Sequence, residues 1–69
     1  MVTKDSVGNI LNDGDSVTVN KDLKIKGMST TLKRGTKIKN IRLTESNQEV
    51  ECRVGKSVVV LKTQFLKKA

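Results

Sequence analysis

Apolar residues recur at every second position through most of this chain. In the segment 48–54, Val50, Cys52 and Val54 alternate with charged side chains, and two valines alternate with hydroxyl residues in 16–19. Because successive side chains of a strand point to opposite faces, this spacing indicates half-buried β-strands. Glycines separate the runs where the chain must reverse. The predicted strands lie near 2–5, 9–11, 16–21, 23–26, 30–33, 36–44, 48–54 and 57–62.

The segment 36–44 departs from strict alternation. Ile41 and Leu43 fall on one face of an extended chain, whereas Ile38 falls on the other. A β-bulge near Lys39 and Asn40 brings Ile38 back to the inner face and lets one long strand serve both halves of a small barrel.

The last third of the sequence is less regular. The segment 57–62 is apolar on both faces, which predicts a central strand, or a strand whose outer face is covered by the end of the chain. In the segment 63–68 we expect a short turn of helix that closes the barrel.

These registers predict one core of inward-facing residues. On the same registers Lys24, Lys26, Lys37 and Arg42 point outward. The predicted core consists of Val17, Val19, Leu23, Ile25, Leu32, Ile38, Ile41, Leu43, Val50, Cys52, Val54 and Phe65.

The composition excludes several classes of function. The 69 residues predict a single domain over 1–69, without His, Trp, Tyr or Pro and with one Cys. A histidine-based triad, a His-bearing zinc site and an internal disulfide are therefore excluded, and we expect no metal or cofactor. The sequence shows no membrane span and no secretory leader, so we expect a soluble cytoplasmic domain.

Positive charge is concentrated in the middle of the chain. Residues 21–43 carry eight bases and one acid, which equals the net charge of +7, while the six bases and six acids elsewhere cancel. This concentration indicates a surface for a polyanion or nucleic acid. The alternative is a solubilising face whose lysines protect sheet edges from aggregation. The candidate contacts are Lys24, Lys26, Lys33, Arg34, Lys37, Lys39 and Arg42.

Several local motifs have simple structural interpretations. Gly35 lies among bases, and the turn 33–37 could present backbone amides and cations to a phosphate. Cys52, on the apolar side of its strand, is expected to pack in the core. Asp13 and Asp15 are expected to cap backbone amides of a turn rather than to bind a metal.

Six segments of the chain carry a resemblance to a known family: DSVGN (5–9), DGDSVTV (13–19), KDLKIKG (21–27), LKRGTKIKNIRL (32–43), the Glu-Cys-Arg of 48–54 and LKTQFLKK (61–68). Together they resemble the C-terminal domain of the PhnA-type proteins, named after alkylphosphonate uptake or utilisation operons. The resemblance implies an SH3-like small β-barrel. Longer members carry an N-terminal zinc ribbon with paired Cys-x-x-Cys motifs, which has no counterpart here because Cys52 is the sole cysteine.

The sequence thus favours a non-enzymatic PhnA-like binding module with a basic face for polyanions or nucleic acid. Since Phe65 alone cannot form a stacking platform, contacts to the nucleic-acid backbone must dominate such binding. Two alternatives are an accessory protein or enzyme of alkylphosphonate metabolism, and an interaction module for an acidic protein partner. Pro-rich peptides are poor candidates because their groove is lined by aromatic residues.

Overall fold

A computed structural model describes residues 2–25 and 31–69. Within these ranges the chain forms short strands and one turn of 3-10 helix, so the predicted all-β class is confirmed. None of the described helical structure is long and apolar enough to cross a membrane. The strands are β1 (Val17–Val19), β2 (Leu23–Lys24), β3 (Thr31–Leu32), β4 (Lys37–Ile38), β5 (Arg42–Leu43), β6 (Glu49–Val54), β7 (Ser57–Lys62) and β8 (Leu66–Lys68), with the 3-10 turn at Thr63–Phe65.

The strands pair antiparallel in three small sheets. One sheet has the order β4-β1-β8, a second has the order β5-β6-β7, and β2 pairs with β3. The longest ladder joins β6 to β7, from Glu49 opposite Lys62 to Val54 opposite Ser57. Closure of these sheets into an SH3-like barrel stays a prediction from the resemblance.

The chain passes from one three-stranded sheet to the other at Asn40. Asn40 has a φ of 58°, in the left-handed region that Asn tolerates better than most residues. The backbone of Ile41 is held on the turn before β1, since Ile41 N–H donates to the carbonyl of Asp15 and the Ile41 carbonyl accepts from Gly14 N–H. The predicted β-bulge in one long strand over 36–44 is therefore wrong, because β4 and β5 are separate strands in different sheets. The predicted inward placement of both Ile38 and Ile41 is confirmed, since both are buried.

A single hydrophobic cluster lies between the sheets. Its buried members are Leu11, Val17, Val19, Leu23, Leu32, Ile38, Ile41, Val50, Cys52, Leu61 and Leu66. Most of the predicted core is confirmed, but Ile25, Val54 and Phe65 are only partly buried against the cluster. The prediction that Leu43 belongs to the core is wrong, because Leu43 lies on a two-residue edge strand and is 36% exposed. The buried residues Leu11, Leu61 and Leu66 were absent from the prediction.

Other expectations need correction. The strands predicted near 2–5 and 9–11 reduce to one bridge between Lys4 and Ile10. The strand β7 lies at the edge of its sheet rather than at the centre, with Val58 and Val60 on its exposed face. The end of the chain does not cover that face, because β8 pairs with β1. The predicted turn of helix is confirmed at Thr63–Phe65.

Candidate anion-binding surface

The predicted cationic residues fall into two groups on the surface. Lys33, Arg34 and Lys37 lie in or next to the turn before β4, and we call them the turn group. Lys39 and Arg42 flank the break at Asn40. All five side chains are exposed, as is that of Lys24 on β2, whereas Lys26 lies outside the described residues.

Three backbone amides of the turn 33–37 already have acceptors within the chain. Arg34 N–H donates to Asp22 Oδ1 at 2.8 Å. Gly35 N–H donates to the carbonyl of Val19, and Thr36 N–H to that of Lys33. The prediction that this turn offers its amides to a phosphate is therefore wrong for these three donors. Lys33 Nζ also lies 4.0 Å from Asp22 Oδ2, so an internal carboxylate partly offsets its charge.

Lys37 shares the outer face of its sheet with a cation that the sequence prediction missed. Thr18 on β1 lies opposite Lys37 on one side and Lys67 on the other. Neighbouring strands are about 4.8 Å apart, so the two lysines project from the same face with one strand between them. The sheet β4-β1-β8 therefore carries an exposed pair of positive charges.

The more concentrated group lines a pocket beside the break between β4 and β5. Its cations are Lys39, Arg42 and Arg53, which we call the pocket group, and its single acid is Glu51, so the lining has a formal charge of +2. The pocket has a volume of about 300 Å³. The complete lining is Lys39, Asn40, Arg42, Glu51, Cys52, Arg53 and Val58.

The strand register explains how the pocket group comes together. Arg42 on β5 lies opposite Glu51 on β6, and Arg53 lies opposite Val58 on β7. In the two ranges that the structure describes, the ion pairs are Lys33–Asp22 and Lys68–Asp15, so no described carboxylate lies within 4.0 Å of a pocket cation. None of the three cations therefore forms an ion pair with a described carboxylate, although Glu51 lies on the strand opposite Arg42.

Arg53 was missing from the predicted site, although a signal for it exists in the sequence. It alternates with the inward residues Cys52 and Val54, which places it on the outer face. Pairing the predicted strands 36–44 and 48–54 across the polar tip between them brings Arg53 to the same face as Arg42. Charge counting along the chain could not find this residue, because it lies ten positions outside the basic segment.

Cys52 contributes to the pocket wall without offering a reactive thiol. Its side chain is buried, which confirms the expected place in the core. Burial raises the pKa of the Cys52 thiol to about 11. The thiol therefore stays protonated at neutral pH and is a poor nucleophile.

Both acidic turn residues accept from backbone amides, Asp15 within its own turn as predicted and Asp13 from the distant strand β5. Asp13 Oδ1 accepts from the N–H of Leu43 at 2.7 Å, and Asp15 Oδ2 accepts from the N–H of Asn12 at 2.8 Å. These bonds fix the turn that holds Ile41, so both carboxylates have a structural role.

Asp5 is the most heavily bonded carboxylate of the described residues. It accepts from the backbone N–H groups of Val7, Asn9 and Lys68 and from the side-chain amide of Asn9. Burial acts to raise the pKa of Asp5, but the hydrogen bonds from Lys68, Asn9 and Val7 outweigh it and hold the pKa below its ordinary value. This residue joins the N-terminal loop to β8.

A second cleft, of about 610 Å³, lies next to Asp5 and has a different character. Its lining is mixed, with two acids, one base and uncharged polar side chains, and the Asp5 carboxylate there is already engaged. This cleft has no excess of positive charge for an anion. The lining consists of Asp5, Ser6, Ser46, Gln48, Glu49, Lys62, Thr63 and Gln64.

The fold and the site together describe an all-β domain with cations gathered at one strand break. Comparison with known proteins identifies the family of this domain. The family model described as YjdM, PhnA domain, matches residues 3–69. The chain therefore belongs to the PhnA domain family, which confirms the resemblance found in the sequence.

Curated relatives agree with this assignment. The chain is 52% identical to Protein YjdM of Escherichia coli strain K12, covering 99% of this chain and 62% of that protein. It is 54% identical to the YjdM homolog of Haemophilus influenzae, covering 100% and 54%, and 46% identical to Protein YjdM of Streptococcus mutans, covering 99% and 63%. The chain spans less than two thirds of the length of each of these relatives.

Proposed function

We propose that this PhnA-like domain is a non-enzymatic binding module that holds polyanions, including nucleic acids, through the pocket group. The observation that carries the proposal is the gathering of Lys39, Arg42 and Arg53 around one pocket with a single acid. Clustered cations attract a phosphate backbone and release its condensed counterions on contact. Lys37 and Lys67 on the neighbouring sheet would extend the contact along a long ligand.

We expect nucleic-acid binding by this domain to depend little on the base sequence of the ligand. Phe65 is the sole aromatic residue, it packs partly buried against the core, and Lys21 Nζ lies 4.3 Å from its ring centroid. A ring in this position is poorly placed to stack on a base, and stacking is what single-strand binders use. Binding by contacts to phosphates alone depends strongly on salt and weakly on base sequence.

The state of the acidic and thiol groups supports a role without catalysis. Asp5, Asp13 and Asp15 accept hydrogen bonds from backbone amides, and the Cys52 thiol is buried and protonated. A general base or a nucleophile needs an available lone pair within reach of a substrate. Asp5, which accepts four hydrogen bonds, and the buried, protonated Cys52 thiol are committed to the fold instead.

Titration of duplex DNA across a range of salt concentrations tests the proposal. We expect binding at low salt that weakens as salt rises, with the Arg42→Ala/Arg53→Ala double variant binding more weakly. Its slope of log K against log salt should be shallower by about two, because each lost phosphate contact removes about 0.9 from the slope.

The matched control removes the same charge from the turn group, as Lys33→Ala/Arg34→Ala. Since Asp22 already engages Lys33 and the Arg34 amide, we expect this control to lose less affinity. No binding at low salt, affinity that does not change with salt, or an equal loss in both double variants would overturn the proposal.

A further inference from the structure

The strand β7 leaves one of its edges without a partner. It is the last strand in the order β5-β6-β7, and no backbone hydrogen bond joins its outer edge to another strand in residues 2–25 and 31–69. An unpaired edge offers a row of N–H and C=O groups to an added strand.

The phase of the β6–β7 ladder shows which backbone groups face outward. Gly55 has a φ of 63° and opens a two-residue turn, so the closing pair Val54–Ser57 exchanges hydrogen bonds. Bonded and non-bonded pairs then alternate along the ladder. This alternation predicts that Gln48 and Thr63, one position beyond the ladder, form a bonded pair. The observed hydrogen bond from Thr63 N–H to the carbonyl of Gln48 agrees with that prediction. The N–H and C=O groups of Val58, Val60 and Lys62 therefore point to the open edge.

The side chains along this edge are apolar in the middle and basic at the ends. Val58 and Val60 are 59% and 53% exposed. Lys56 precedes the strand and Lys62 ends it, and the segment 55–62 contains no acid. Exposed valines favour β-branched neighbours on an adjacent strand, while the lysines favour acidic residues.

The same charges oppose pairing with a second copy of this chain. An antiparallel pair of β7 strands would bring four lysines together with no acid in either strand. In the register centred on Val59, Lys56 of each copy would lie opposite Lys62 of the other. Like charges placed directly opposite each other destabilise a sheet.

We infer that the open edge of β7 binds an extended polypeptide segment with β-branched residues at alternate positions and acidic residues at its ends. The segment would add an antiparallel strand to the sheet β5-β6-β7, with backbone hydrogen bonds to Val58, Val60 and Lys62. This inference does not depend on polyanion binding, because main-chain groups supply the contacts.

Amide hydrogen exchange followed by NMR tests the inference, with the peptide acetyl-DDVTVTVDD-amide as the probe. In the isolated domain we expect fast exchange at Val58, Val60 and Lys62 and slower exchange at Val59 and Leu61. With the peptide at about 1 mM, a concentration suited to weak association, the three fast amides should become protected.

Two matched pairs separate strand addition from simple charge attraction. Val60→Pro removes one backbone donor, the N–H that faces the open edge, and no donor of the ladder to β6, so we expect it to weaken peptide binding about tenfold or more. Val60→Thr keeps that N–H and should retain most of the affinity. A peptide of the same sequence with alternate N-methylated amides keeps its charge but loses the donors, so it should fail to protect the edge.

The inference is overturned if the three amides gain no protection, if the N-methylated peptide binds equally well, or if Val60→Pro binds as tightly as the parent domain. Sedimentation of the isolated domain provides a further test. A dimer in which these amides are protected without peptide would assign the edge to a second copy instead.

Discussion

Two edge strands of this small domain, β8 and β7, differ in whether other groups of the chain bond to their outer backbone groups. At β8 the carbonyl of Leu66 accepts from Ser6 N–H, and Lys68 N–H donates to the Asp5 carboxylate. At β7 no described group plays this part for Val58, Val60 or Lys62. One edge is closed by the N-terminal loop, and the other stays open beside the pocket group.

The difference comes from the buried Asp5 carboxylate, which lies beside β8 and has no counterpart beside β7 among the described residues. A buried carboxylate is costly unless several donors satisfy it, and Asp5 has four. With this arrangement, the first residues of the domain are tied to the last strand. In the other sheet, the β7 edge has no such closure among the described residues, and the outer face of that sheet carries the cations and valines to which we assign binding.

The largest effect should come from breaking the connection between the two sheets at Ile41. Ile41 is fully buried and follows the break at Asn40. Ile41→Ala should lower the free energy of unfolding by about 2–5 kcal/mol, which is a large part of the total of about 5 kcal/mol typical of so small a domain. Urea denaturation followed by circular dichroism measures the change.

Leu43→Ala provides the control for Ile41→Ala. It also shortens an aliphatic side chain two residues further on, but at a position that is 36% exposed. We expect a clearly smaller loss of stability there. Equal losses at the two positions would contradict the assignment of Ile41 as the residue that joins the sheets.

A smaller effect is expected from opening the closed edge at Asp5. Asp5→Asn replaces an accepting oxygen by an NH₂ group, which leaves at least one backbone donor without its acceptor. We expect a loss of about 1–3 kcal/mol in the free energy of unfolding. Asp22→Asn, at an exposed carboxylate with one backbone donor, should cost less. A larger loss at Asp22 would contradict the role given to Asp5.

The same carboxylate makes stability depend on acid pH. The pKa of Asp5 in the folded state lies below the ordinary value of 3.8. Its contribution is therefore fully present above pH 3.8 and is lost as pH falls through the lower folded-state value. Urea unfolding at a series of acid pH values should show this loss in the parent domain and a smaller one in Asp5→Asn. Identical profiles would contradict the linkage.

The sequence predicts features that depend on neighbouring residues along the chain better than features that depend on which strands pair. Alternation identified the inward residues of β1 and β6, and the mismatch between Ile38 and Ile41 indicated an irregularity near Asn40, although it was interpreted as a bulge rather than a break. Alternation does not show which strand lies alongside another, so an edge strand with apolar residues on both faces was interpreted as central.

The candidate site shows the same limit. Lys39 and Arg42 were found because they lie in the basic segment, whereas Arg53 joins them through the pairing of β5, β6 and β7. The occupied amides around Gly35 also could not be inferred, since their acceptors include Val19 and Asp22 from a separate part of the chain.

The smallest effect on stability is expected from removing pocket cations. Arg42→Ala and Arg53→Ala should each change the free energy of unfolding by less than about 0.5 kcal/mol, because both side chains are exposed and have no described ion pair. Thermal unfolding measures this. A large loss of stability in either variant would mean that the cation supports the fold rather than a ligand.

The most direct test of polyanion binding is an NMR titration of the labelled domain with a short DNA duplex at low salt. We predict that the largest chemical-shift changes occur at Lys39, Arg42 and Arg53, that smaller ones occur at Lys37 and Lys67, and that all of them reverse when salt is added. Changes concentrated at Lys33 and Arg34, or no changes at any DNA concentration, would contradict binding through the pocket group.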